Sequence, residues 1–169
     1  MPRPRKRKVE KKKKFKYKST ERFLKPDARH NNVVVAKVIN QVMWSGKKTV
    51  AQSIIYGAME LIAKRVKDKE PLEVFLGAID NVKPILEVRS KRVGGATYQV
   101  PMEVTRKRQQ TLAIRIIVGN TRKKKGKPMA NRLADELIDA WNKQGTSIQW
   151  RENTHKMAEA NKLFAHFAW

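Results

Sequence analysis

The sequence predicts a mainly α-helical protein: a six-helix domain with a protruding two-stranded β-hairpin arm and a disordered basic N-terminal tail. Three observations predict it. Apolar residues recur at helical spacing on both sides of a short central stretch. Within that stretch, from Leu86 to Val104, the period changes to two around Gly94-Gly95. Ahead of both lies a segment too rich in Lys and Arg to bury a core.

Residues 1–25 form the predicted basic extension and residues 26–169 the domain. Fourteen of the first thirty residues are Lys or Arg, against Glu10, Glu21 and Asp27, and like charges at that density oppose collapse. The candidate RNA-contacting cations there are Arg3, Arg5, Lys6, Arg7, Lys8, Lys11, Lys12, Lys13, Lys14, Lys16, Lys18 and Arg22. Phe15, Tyr17 and Phe23 are interleaved with them, which suits base stacking. A solvated tail or a nuclear localisation signal would need no aromatics.

Val34, Val38 and Val42 recur at i, i+4 and i+8, with Asn31 or Asn32 as cap and Gly46 as stop. A second helix is predicted from about Lys48 to Asp68, its stripe being Val50, Ile54, Ala58 and Leu61. Pro71 suits the first turn of a third, which buries Leu72, Phe75, Leu76 and Ile79 and stops before Pro84.

The hairpin is predicted at about 86–104, with Tyr98, Val100, Met102 and Val104 on one face and Gly94-Gly95 as its turn. Pro101 cannot donate to a ladder and needs an edge, which a two-stranded ribbon provides. Arms of about 8 residues reach about 26 Å. A lone hairpin is marginal in water, so its tip should gain order from a partner. Helix returns after Thr105. The run Leu112 to Val118 is β-branched enough for a strand, but Arg108, Arg115 and Arg122 would share one helical face. A fifth helix carries Leu133, Leu137 and Trp141. A sixth is expected from about Arg151 to the C-terminus, with Met157, Asn161, Phe164 and Ala168 on one side.

A net charge of +24 calls for a polyanion, and phosphate backbones are the commonest. No apolar run approaches the length of a membrane span, the tail lacks an amphipathic helix with a large apolar face, and no signal-peptide pattern is visible. Cysteine is absent, which excludes disulfides and thiol chemistry. His30, His155 and His166 form no metal spacing, and Gly46-Lys47-Lys48-Thr49 fails the phosphate-loop pattern. No acid–base pair stands out, so neither an enzyme nor a cofactor is expected. A DNA-binding architectural protein is the principal alternative to an RNA binder.

Nine Lys or Arg and no acid lie between Thr105 and Lys127. From that segment Arg106, Arg108, Arg115, Arg122, Lys123, Lys124 and Lys125 are candidate RNA contacts; Lys47, Lys48, Arg89, Lys91 and Arg92 join them. A solvated face normally mixes signs, as Arg132, Asp135, Glu136 and Asp139 do on the fifth helix, which should face solvent or a basic neighbour. Val93, Gly94, Gly95 and Tyr98 mark the hairpin tip, where Tyr98 either stacks on a base or packs on the hairpin, packing being preferred.

The run Arg92-Val93-Gly94-Gly95-Ala96-Thr97-Tyr98-Gln99-Val100-Pro101 resembles the signature of ribosomal small-subunit protein seven, bacterial type. Further resemblances to that family are Met43-Trp44-Ser45-Gly46-Lys47-Lys48, Asn81-Val82-Lys83-Pro84 and Met157-Ala158-Glu159-Ala160-Asn161. The resemblance spans roughly Pro26 to Trp169. It implies six helices with a hairpin arm, and binding to the 3′ major domain of small-subunit rRNA as an organiser of head assembly. It also implies that the hairpin tip and C-terminal helix lie near exit-site tRNA and mRNA. The neighbours implied are ribosomal proteins nine, eleven, thirteen and nineteen, and no homo-oligomer is expected. Some members of the family repress their own message; the missing targeting pattern and cysteine place the expected ribosome in the cytoplasm more than in an organelle. Gln149-Trp150, where two Lys are common, and the ending Phe167-Ala168-Trp169 depart from the pattern and put the C-terminal contacts in question.

Overall fold

In the computed structural model residues 23–168 are described; the tail predicted over residues 1–25, with its candidate cations from Arg3 to Arg22, therefore falls outside the described residues up to position 22. Asp27 anchors the start of the fold. It is buried, and it accepts from the Tyr56 hydroxyl at 2.8 Å and from the amides of Arg29 and His30. Asn32 then caps α1 (Val33–Val42), its side chain accepting from the Val34 amide at 2.7 Å. The helix ends four residues before Gly46, which instead shapes the following turn with φ 74°.

α2 (Lys48–Arg65) buries Ala51, Ile55, Ala58, Met59 and Ile62. The predicted stripe is thus rotated by one residue, and Val50 is exposed. Small Ala51 and Ala58 face inward, so α2 sits close to its neighbours, a choice that its two adjacent apolar stripes leave open. α3 (Pro71–Val82) begins on Pro71 and buries Val74, Phe75, Ala78, Ile79 and Val82; Leu72 and Leu76 are half-buried at its edge.

β1 (Leu86–Val93) and β2 (Ala96–Glu103) pair antiparallel, with Val93 opposite Ala96 across Gly94-Gly95. Both glycines have positive φ, 58° and 90°, which a two-residue turn matching the strand twist requires. Pro101 lies opposite Val88 in the ladder. α4 (Arg106–Lys123) is helical throughout, including Leu112 to Val118. α5 (Met129–Trp141) carries Leu133 and Leu137 into the core, where they meet Phe75, Ile79 and Ile117.

α6 spans Thr146–Ala160 and so begins five residues before Arg151. Its start is set by Glu136, which belongs to the core and not to a solvated face. Glu136 accepts from the Ser147 amide at 3.1 Å and from the Thr146 hydroxyl at 3.0 Å. Nor does the sixth helix run to the C-terminus. After Asn161 the chain tightens into a 3₁₀ helix (Lys162–Phe167), which lies against β2. Phe164 and Phe167 pack on Tyr98, with centroids 5.4 and 4.9 Å away, and the Lys91 ammonium donates to the Phe167 carbonyl at 2.7 Å. The arm is therefore backed by the chain's own C-terminal segment, and Tyr98 packs there.

Candidate nucleic-acid interface

α4 divides sharply. Leu112, Ala113, Ile114, Ile117, Val118 and Thr121 are buried, while Lys107, Thr111, Arg115 and Arg122 follow one another along the outer side. α1 lies alongside it. The Lys37 ammonium donates to the Gln110 side chain at 3.0 Å, and a cleft of about 240 Å³ between the helices is lined by Lys37, Asn40, Gln41, Thr111 and Ile114. At its end comes the α1–α2 turn with exposed Lys47 and Lys48. These pieces make one face whose charge is positive. Neither α1, α2 nor α4 has an acid in its first turn, so no first-turn carboxylate there repels an approaching anion.

The cations singled out from the sequence separate into two groups. Arg106, Arg115, Lys123 and Lys125 are exposed and, among the described residues, have no acidic partner. Arg92, near the hairpin turn, is the same, and Arg89 has only a long pairing of 3.7 Å with Glu87. Others are braces. Arg108 grips Glu87 of β1 with two bonds, of 2.9 and 3.2 Å, and ties the arm to α4. These bonds outweigh the effect of burial and hold the Glu87 carboxyl below its ordinary pKa. Arg122 donates to the carbonyls of Gln41 and Val42, at 3.1 and 3.3 Å, and covers the end of α1. Lys124 pairs with Glu136 at 2.6 Å. So Arg108, Arg115 and Arg122 do share a side of α4, but only Arg115 is unengaged by the protein. Lys91 is turned to the C-terminal segment.

Sequence reasoning missed Asn40, Gln41 and Thr111. They are uncharged polar residues on helices, and nothing local distinguishes one in a cleft from one in solvent. It also missed Trp44, which is 73% exposed beside the same turn, with the Arg122 guanidinium 5.4 Å from its ring centroid. An aromatic directly before Ser-Gly-Lys-Lys was the one local signal for it. Among the described residues no cluster of His, Asp and Glu could hold a metal, and no helix is long and apolar enough to cross a membrane.

A model of the family described as Ribosomal protein S7p/S5e matches residues 12–162. The chain belongs to that family. The S7p/S5e match starts within the basic N-terminal stretch, before the Pro26 expected from the motifs alone. Among similar curated proteins are those named small ribosomal subunit protein uS7. The one from Thermotoga neapolitana is 55% identical over 152 residues, 90% of this chain and 97% of its own. That from Rhodopirellula baltica is 57% identical over 144 residues, 85% of this chain and 92% of its own. Membership of the S7p/S5e family makes this a ribosomal protein, a structural component and not an enzyme.

Proposed function

We propose that this structural constituent of the small ribosomal subunit works in the cytoplasm, binds the 3′ major domain of the subunit's rRNA and organises the subunit head. The observation that carries this reading is the acid-free stretch of α4 and the α1–α2 turn, with Arg115 exposed one turn from Thr111 of the polar α1–α4 cleft and Arg106, Lys123 and Lys125 exposed without acidic partners among the described residues. Cations there displace counterions from phosphates, which supplies much of the affinity. Asn40, Gln41 and Thr111 supply hydrogen bonds for 2′-hydroxyls and unstacked base edges. The tail cations from Arg3 to Arg22 extend the same footprint.

The hairpin arm is a separate instrument. Arg108 orients its base and the C-terminal 3₁₀ helix backs its middle, so Arg92, Val93, Gly94 and Gly95 are presented at a defined distance from the core. In this reading the tip lies near exit-site tRNA and mRNA, and the outer surfaces meet ribosomal proteins nine, eleven, thirteen and nineteen. The same RNA-binding face would repress the protein's own message wherever that message imitates the rRNA site.

The test is binding to an rRNA fragment of the 3′ major domain across a salt titration, with duplex DNA as competitor. Tight binding that survives the competitor, with protections at a multi-helix junction, is expected. Equal binding to both nucleic acids without a footprint would leave charge alone at work and overturn the reading.

A further inference from the structure

Two exposed large apolar side chains line one groove at the α1–α2 turn. Trp44, just after α1, is 73% exposed, and Val50 in the first turn of α2 is 54% exposed. Between them runs a groove of about 130 Å³, lined by Val42, Trp44, Ser45, Lys47, Val50 and Ile54. The ring is not a loose side chain. Arg122 reaches from α4, its guanidinium 5.4 Å from the ring centroid, and is itself fixed by the Gln41 and Val42 carbonyls. A cation held against an aromatic face in this way makes the indole a firm shelf.

What surrounds the groove selects its occupant. Ser45 and Gly46 turn the chain through positive φ, 49° and 74°, and Lys47 and Lys48 follow directly. No acid occurs in the sequence between Asp27 and Glu60. An apolar protein side chain would fill the groove and leave Lys47, Lys48 and Arg122 without counter-charge. A nucleobase satisfies both parts, because it is flat, presents a π-face, and brings phosphates on its own backbone.

We propose that Trp44, braced by Arg122, and Val50 form a slot for one unstacked rRNA base, whose flanking phosphates lie on Lys47 and Lys48. This rests on the rRNA-binding reading and locates one of its contacts.

The test uses the full chain with Trp44→Ala and Trp44→Phe, and the same rRNA fragment. W44A is expected to weaken binding roughly five- to a hundredfold, the range for removal of one stacked base. W44F should retain most of the affinity, since a phenyl ring still stacks. The salt slope should stay as in the wild type, because every phosphate-binding cation is still present. Trp44 emission, taken as the difference between wild type and W44F, should be quenched as RNA saturates. Wild-type affinity in W44A overturns the proposal, as does undiminished Trp44 emission on saturating RNA. Quenching that comes only when other ribosomal proteins are added makes the groove a protein-binding surface and also overturns it. Should W44A melt lower than wild type, the emission difference decides alone. Failure of the wild type to bind the fragment would instead refute the rRNA-binding reading itself.

Discussion

Replacing Glu136 should be among the most damaging single changes in this chain. Glu136 is 1% exposed, and it joins α5 to the start of α6 and the end of α4. One carboxylate oxygen accepts from the Ser147 amide, the Ser147 hydroxyl and the Thr146 hydroxyl; the other faces the Lys124 ammonium at 2.6 Å. Glu136→Ala strands the amide and the hydroxyl proton of Ser147, which is fully buried, while the hydroxyl oxygen keeps the Asn120 side-chain amide. Each unmet buried group costs about 1–3 kcal/mol. Lys124, a third exposed, turns to water and adds less than a fully buried ion would. The total is about 3–5 kcal/mol, as for removal of one partner of a buried ion pair. For a chain of this size that lowers the melting temperature by about 6–20 °C. Glu136→Gln keeps an oxygen for Ser147 but removes the charge, and should cost about 1–2 kcal/mol. Thermal melts followed by circular dichroism read both. An E136A melting point within about 2 °C of wild type, or an E136Q as damaging as E136A, would refute the reasoning. Acid should act in the same direction. Burial pushes the Glu136 pKa up, but the bonds from Lys124 and Ser147 outweigh it and hold the carboxyl below its ordinary value. With the folded pKa depressed, the contribution is present above the unfolded value and is lost as pH falls through the folded one, which lies below the ordinary glutamate range.

Gly77→Ala places a Cβ in the Trp141 ring. Overpacking of about 1–3 kcal/mol should exceed the ~1 kcal/mol helix preference of alanine, so G77A melts lower, while the same change in a Trp141→Leu background costs much less. His155 accepts the Ile85 amide proton through Nε2 at 3.0 Å, and burial, then Arg151, lowers its pKa. Its NMR titration midpoint should fall below the ordinary value of about 6.5; because the folded pKa is depressed, protection of the Ile85 amide should be lost as pH drops through that midpoint, and a midpoint above about 6.5 would contradict the assignment. Combined Ala substitutions of Arg115, Lys123 and Lys125 should weaken RNA binding at every sequence and reduce the salt slope by about 1 for each phosphate no longer neutralised, without lowering the melting temperature. An unchanged slope would move the interface elsewhere. Lys124→Ala should lower the melting temperature as well, since it removes a brace of Glu136.

Much of this molecule is legible one turn at a time. Asn32, Pro71 and Gly94-Gly95 each act on bonds within a few residues of themselves, and α1, α3 and the hairpin form where they direct. The acid-free composition of α4 is equally plain in the chain, because charge is additive and needs no neighbour to be counted. Family motifs are legible for the same reason, being runs of adjacent residues.

Other features depend on what stands opposite. Two apolar stripes compete on α2, and only packing against its partners turned Ala51 and Ile55 inward in place of Val50 and Ile54. The early start of α6 depends on Glu136, eleven residues back along the chain from Ser147, whose burial no local pattern announces. Tyr98 meets Phe164 and Phe167 across a long loop of sequence. The division of the cations is the sharpest case. Arg108, Arg115 and Arg122 are alike by spacing, and the fold gives Glu87 to the first, the α1 carbonyls to the third and solvent to the second. Sequence by itself determined the helices, the turn and the excess of positive charge, since propensity, turn geometry and net charge are local or additive quantities. Tertiary structure alone decided which of those charges are engaged inside the protein and which remain for RNA, because a Coulombic partner is chosen by distance in space and not by distance along the chain.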